Sequence, residues 1–219
     1  MNPQRAGGRR VPVIGLAGAI GSGKSSVARA FASLGCLVTD SDAQTRAALD
    51  RDDVKRQIVS WWGGSVLDAS GAIDRSEVAR IVFTDATQRE RLEALLHPFA
   101  RRARDEVIER AERENVPAVV IDAPLLFEAG LDAECDRVIF VDAPREVRLR
   151  RVHDSRGWDA AEVDRREKAQ LPLEDKRRRS DDILVNAGRE EDLIPRVEAL
   201  LSEIRKAFQI GHGSRRSRS

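Results

Sequence analysis

The stretch Val11–Leu34, VPVIGLAGAIGSGKSSVARAFASL, decides how the rest of the chain is read. Val11–Leu16 is apolar enough to be a strand buried on both faces. Directly after it, Gly18-Ala19-Ile20-Gly21-Ser22-Gly23-Lys24-Ser25 fits GxxxxGK[ST], the pattern of a phosphate-binding loop. Lys24–Leu34 then carries Val27, Ala30, Phe31 and Leu34 at helical spacing. Strand, glycine-rich loop and helix stand in the order that phosphate chemistry requires. Gly18, Gly21 and Gly23 permit bends that a Cβ forbids. Successive backbone N–H groups then converge on phosphate oxygens, in front of the positive end of a helix. Lys24 adds a full charge at the β- and γ-phosphates, and the Ser25 hydroxyl is a ligand for Mg²⁺. Gly18 through Ser26 are therefore the expected ATP-binding residues.

Outward from this segment, short apolar runs alternate with helical patterns. Cys36–Thr39, Ala118–Ile121, Val138–Val141 and Ile183–Val185 read as further strands. Strands separated by helices predict βαβ units and a parallel sheet. The expected class is α/β, a three-layer P-loop NTPase fold with a helical insertion and a helical lid. Residues 11–42, 117–144 and 182–210 form the nucleotide-binding core, 43–116 the helical insertion, and 145–181 the Arg-rich lid. Turns are expected at Trp61–Gly64 and Asp68–Gly71, and a closing amphipathic helix at Ile194–Phe208. Residues 1–10 and 211–219, rich in Gly, Ser and Arg, read as disordered tails.

Composition narrows the function. The 219 residues are 41% hydrophobic, enough for a core, and 34% charged, with 38 Lys and Arg against 37 Asp and Glu. A net charge of +1 disfavours a bulk nucleic-acid binder. Two cysteines, Cys36 and Cys135, cannot make a disulfide framework. No apolar run reaches the roughly 18 residues of a membrane span, and no signal peptide is expected. A cytoplasmic protein without membrane or nucleic-acid partners, monomeric or a weak homo-oligomer, is the expectation. The Asn-Lys-x-Asp guanine-reading motif is missing, which argues against a GTPase, and the length leaves no room for motor subdomains. A small-molecule kinase fits better. A nucleotide-dependent regulatory or RNA-binding protein, using the Arg-rich stretch and the Arg-Ser ending, is the alternative from another class.

Carboxylates and arginines supply the remaining candidates. Asp40 and Asp42 follow the second strand, at the carboxyl edge where open parallel sheets bind ligands. There they can accept a proton from an acceptor hydroxyl or hold a Mg²⁺-bound water; Asp42 is equally suited to cap a helix. Asp122 ends the third strand like a Walker B carboxylate beside Mg²⁺. Arg148, Arg150, Arg151, Arg156, Arg165 and Arg166, then the run Lys176–Arg179, lie in the lid region, where such cations can stabilise a transferring phosphoryl group. Interleaved acids make most of them ordinary surface pairs. His97, Trp61 and Trp62 read as packing, and Trp158 as packing for the lid.

The ordered set IGLAGAIGSGKSSVARAFASLG, VTDSDA, LEALLHPFARR, VVIDAPLLFEAGLD, RVIFVDAP and REKAQLPLEDKRRRSDDILVNAG resembles the dephospho-coenzyme A kinases. The likeness runs from Val13 to about Phe208. It implies transfer of the ATP γ-phosphate to the ribose 3′-hydroxyl of dephospho-CoA, with Mg²⁺. It also implies Asp42 as the base, with Asp40 beside it on substrate and metal. Lys24, Arg151 and Arg156 are implied in catalysis, and Arg148 and Arg166 at ATP or the transferring group. Leu125, Phe127 and Glu128 fall near the acceptor, His97 and Pro98 on the CoA side, and Asn186 with Gly188 at the adenine. The chain departs from the family pattern at Ala17, usually Thr and here without an acceptor-side hydroxyl, and at Ala19, where a second Gly is common.

Overall fold

The structure is a computed structural model that describes residues 10–216. Its chain forms two compact units, one from the segments up to Thr39 and from Val107 onward, the other Asp40–Glu106. The first contains a five-stranded sheet, β1 (Val13–Gly18), β2 (Leu37–Asp40, whose last residue begins the second unit), β3 (Val119–Asp122), β4 (Arg137–Asp142) and β5 (Asp182–Val185). The strand order is β2-β3-β1-β4-β5. β1 pairs in parallel with β3 and β4, and β4 in parallel with β5. All five predicted strands are present, with boundaries displaced by one or two residues.

Alternation along the strands sorts side chains into two apolar layers. Ile14 and Leu16 of β1 with Ile139 and Val141 of β4 face α1 (Lys24–Ser33) and α9 (Leu193–Arg216). Val13 and Ala17 with Val138 and Phe140 face the opposite side, where the end of α5 (Ala86–Glu114) contributes Ala111. β1 is buried along its whole length, which is why it reads as an unbroken apolar run. Of the periodic positions of α9, Val197, Leu201, Ile204 and Phe208 are buried, whereas Ile194, in the first turn, is exposed. Its backbone continues helical past Phe208 to Arg216, so 211–216 carry helix where the sequence reads as a tail. Residues 1–9 and 217–219, the rest of both expected tails, lie outside the described residues.

The second unit packs α2 (Ser41–Leu49), α3 (Asp52–Trp62), α4 (Arg75–Thr84) and the first part of α5 around Val54, Ile58, Val66, Val78, Leu92 and Leu96. Gly63 stops α3 at φ 77°, and Asp68–Gly71 forms the expected turn, closed by Gly71 N–H on Asp68 O at 2.9 Å. The boundary at Glu106, ten residues before the expected one, has a simple cause: α5 is one continuous helix, and its last turns bury Val107, Ile108 and Ala111 against the sheet.

Within the sheet, Gly15 is tightly packed. A Cβ there would come within 2.7 Å of Cys135 Sγ and 2.9 Å of a Leu126 methyl. Gly15→Ala is therefore expected to destabilise the protein by about 1–3 kcal/mol through overpacking, read from urea unfolding.

Candidate active site

The parallel register brings several strand ends to one edge of the sheet. Gly18 pairs with Val141, Leu16 with Asp122, and Asp142 with Val185. The loop Gly18–Ser25 leaves β1 at that edge, between strands reached in opposite directions, the place where open α/β sheets bind ligands.

The loop is held from behind by its carbonyl groups. Lys24 Nζ donates to Gly18 O at 3.2 Å and Ala19 O at 3.4 Å. Arg148 Nη1, from α6 (Arg145–Arg156), donates to Ile20 O at 3.1 Å. Arg151 Nη1 and Asn186 Nδ2 both donate to Ser22 O, at 3.3 and 2.9 Å. With those carbonyls engaged, the peptide N–H groups turn the other way. Ser22 N–H is used inside the loop, on Ala19 O at 3.2 Å. Among the described residues no acceptor takes the N–H groups of Gly21, Gly23, Lys24 and Ser25, the last two at the start of α1. Four backbone donors and a helix N-terminus make a cradle for an anion with several oxygens.

The glycines are required for two reasons. Gly21 and Gly23 have φ of 76° and 87°. A Cβ on Gly21 would meet Arg148 O at 2.6 Å, and one on Gly23 would overlap the Asn186 amide.

Electrostatics favour the same occupant. Burial drives the Lys24 amine from 10.5 down to about 8; Asp122 pulls it back up, Lys176 and Arg156 push it down further, and Glu167 raises it. Four charged groups on separate segments thus act on one ammonium. Oxygen donors for a cation lie at the same edge: the exposed Ser25 hydroxyl in the first turn of α1 and Asp122 at the end of β3. Among the described residues no three His, Cys, Asp or Glu side chains form a metal cage. One hydroxyl and one carboxylate fit Mg²⁺, which keeps several waters and takes its remaining ligands from phosphate.

The other sequence candidates fall into distinct places. Arg148, expected at ATP, and Arg151, expected in catalysis, are bonded to carbonyls of the loop, and Arg148 also to Glu167 at 2.6 Å. Asn186, expected at adenine, is buried with its amide on Ser22 O and its own carbonyl on Arg151. Arg156 and Arg166 stack over Trp158 at 4.9 and 3.9 Å, which gives the expected packing of that ring. Arg166 Nε also donates to Glu162 at 2.6 Å. Leu125 is exposed, whereas Phe127 is buried beneath the Arg179 guanidinium, 4.4 Å from its ring. Glu128 pairs with the buried Lys176 at 2.9 Å and accepts Leu171 N–H at 2.8 Å. Burial works against the charged form of Glu128, but Lys176 and the Leu171 N–H outweigh it and hold the carboxyl below its usual range.

In the helical unit the cap of α2 is Asp40, whose Oδ1 accepts Ala43 N–H at 2.9 Å. Asp42, weighed as a cap from sequence, instead occupies the first turn and is exposed. His97 and Pro98 are exposed on α5, which continues through the proline. Trp61 and Trp62 meet edge-on at 5.8 Å, and Trp62 Nε1 donates to Gln88, in keeping with packing. Sequence reasoning missed Glu167 and counted Lys176 only within the run Lys176–Arg179. Nothing local marks either one within its charge-dense helix, α7 (Ala160–Lys168) or α8 (Leu173–Arg179).

Fold and loop together define a P-loop phosphotransferase. The family model described as dephospho-CoA kinase matches residues 12–192, and the chain belongs to that family. The dephospho-CoA kinase of Anaeromyxobacter dehalogenans is 40% identical over 194 residues, 88% of this chain and 92% of the relative. That of Thermus thermophilus is 39% identical over 201 residues, covering 92% and 96%. A crystal structure from Thermus thermophilus matches with a TM-score of 0.78 at 38% identity, over 89% of this chain and 98% of that one. The dephospho-CoA kinase structure from Campylobacter jejuni matches with a TM-score of 0.67 at 25% identity, over the same shares.

The lowered Lys24 pKa has a signed consequence. The folded form releases its proton near 8 and the unfolded chain near 10.5, so between these pH values the unfolded state binds more protons. The cost of the buried ammonium is fully present below about 8 and disappears as pH rises to 10.5. Urea unfolding across this range is expected to show the wild type gaining stability relative to Lys24→Met.

Proposed function

We propose that this chain transfers the γ-phosphoryl group of ATP to the ribose 3′-hydroxyl of dephospho-CoA, the final step of CoA biosynthesis. The observation that carries this reading is the family match over residues 12–192, which includes the complete phosphate cradle.

In the reaction the bond between the γ-phosphorus and the β–γ bridging oxygen breaks, and one to the 3′-oxygen forms. ADP leaves, and the hydroxyl proton passes to the Asp42 carboxylate. The loop N–H groups and Lys24 bind the β- and γ-phosphates and stabilise the charge that spreads over the transferring oxygens. Ser25 and Asp122, with Asp40, would hold Mg²⁺, which would supply charge neutralisation of the triphosphate. Arg156, felt by Lys24, adds positive charge where phosphoryl transfer needs it, and Trp158 stacks on that arginine and on Arg166. Arg148, Arg151 and Asn186 keep the loop in shape. Leu125, Phe127, Glu128, His97 and Pro98 are assigned to the acceptor side. A cytoplasmic location belongs to this reading; Cys36 and Cys135, both buried, accord with a reducing compartment. No helix among the described residues is long and apolar enough to cross a membrane.

The test is incubation of purified protein with ATP and Mg²⁺ against dephospho-CoA, a nucleoside, shikimate or gluconate, with products read by mass. One phosphate gained on dephospho-CoA alone is expected; gain on another acceptor would keep the kinase and replace the substrate. Lys24→Ala is expected to lower turnover by about two to three orders of magnitude. Asp42→Asn is expected to lower kcat by about 100-fold or more with ATP affinity retained. Near-normal turnover in Asp42→Asn would remove it as the base.

A further inference from the structure

Glu167 falls in the segment REKAQLPLEDKRRRSDDILVNAG without a role assigned to it there, yet its carboxylate touches the phosphate loop. Glu167 Oε1 accepts the Ile20 N–H at 3.2 Å and bonds Arg148 Nη1 at 2.6 Å. The same Arg148 nitrogen donates to Ile20 O at 3.1 Å. Both polar groups of residue Ile20 are therefore held by one ion pair, with the acid from α7 and the base from α6. The side chains are only 14% and 8% exposed, so the pair is shielded from solvent and from salt.

We infer that Glu167 is a positioning residue for ATP: through Arg148 and the Ile20 backbone it fixes the curvature of the phosphate loop. The geometry supplies the reason. Gly21, the residue after Ile20, has φ 76°, and its Cα approaches the α6 backbone closely enough that a Cβ would meet Arg148 O at 2.6 Å. Ile20 is thus the last residue before the loop turns its N–H groups toward an anion. Holding Ile20 at both its N–H and its C=O sets the direction of the chain into that turn. Without the carboxylate, the Ile20 N–H loses its acceptor, and Arg148 keeps a nearly buried charge with only a carbonyl to bond. Glu167 bonds the loop at a donor outside the four left to an anion, so it orders the cradle without filling it. The acid also acts on Lys24, raising its pKa and so favouring its charged form.

This inference rests on the proposed use of ATP and is tested by binding rather than turnover. ATP with Mg²⁺, and separately dephospho-CoA, would be titrated calorimetrically into the full chain and its variants, with melting temperatures recorded. Glu167→Ala is expected to weaken ATP binding about tenfold and leave dephospho-CoA affinity unchanged. Glu167→Gln, whose amide oxygen still accepts the Ile20 N–H, is expected to fall between Glu167→Ala and wild type. Arg148→Met combined with Glu167→Leu removes the pair without stranding a charge, so it should remain folded and weaken ATP as Glu167→Ala does. Wild-type ATP affinity in that double variant, tighter ATP binding in Glu167→Ala, or equal losses for both ligands alongside a lower melting temperature would each overturn the inference. If the wild type binds ATP but phosphorylates no dephospho-CoA, the proposed substrate fails while the ATP titrations still decide the role of Glu167. A wild type that binds no ATP overturns both.

Discussion

Everything at the sheet edge depends on where the loop carbonyls point. A peptide presents its N–H and C=O in opposite directions, so a loop that aims N–H groups at an anion must find partners for carbonyls on its other side. Here those partners are Lys24, Arg148, Arg151 and Asn186, bonded to Gly18, Ala19, Ile20 and Ser22. Three of the four donors are cations, which makes the loop strongly held and also places positive charge behind the anion site. The glycines permit the bends; the donors select one bend among those permitted.

This arrangement changes the meaning of the Arg-rich stretch. Composition marks it as a source of phosphate-binding arginines, and the structure divides it. Arg148 and Arg151 support the loop from α6. Arg165 and Arg178 are paired along their own helices with Glu162 and Asp175. Arg177 and Arg179 reach back to Asp142 and Asp132. Arg156 is distinguished by its action on Lys24, together with its stacking on Trp158. Counting arginines finds the region, but only the direction of each side chain separates support from chemistry.

The fold was legible in the sequence because a covered parallel sheet needs apolar strands, and short apolar runs separated by helical patterns mark all five of those described, most completely in the central β1. The loop was legible because its glycines, Lys24 and Ser25 are constrained by contact with one ligand and are adjacent in sequence. What could not be read was the meeting of residues distant in the chain. No pattern in Arg148, Asn186 or Glu167 announces a backbone partner in Ile20 or Ser22. The limits of the helical unit were also hidden, because α5 keeps one helical period while its neighbours change. Asp40 rather than Asp42 caps α2 because β2 runs into the helix without a linker, a matter of one or two residues that periodicity does not resolve.

The sequence distances within the loop's support bear on the order in which the protein becomes competent. Ile20 O waits for Arg148, 128 residues later, and Ser22 O for Arg151 and Asn186, 129 and 164 residues later. The loop leaves a ribosome well before the α6 and post-β5 segments that hold its carbonyls. During synthesis the emerging β1 and α1 therefore carry a glycine-rich turn with unmatched carbonyls and no fixed curvature. Contacts of such long range form late and slowly, after the chain between them has collapsed. Nucleotide affinity is in this sense a property of distant segments brought together, and a fragment ending before Asn186 would carry the whole GxxxxGK[ST] motif with one of the two donors to Ser22 O missing.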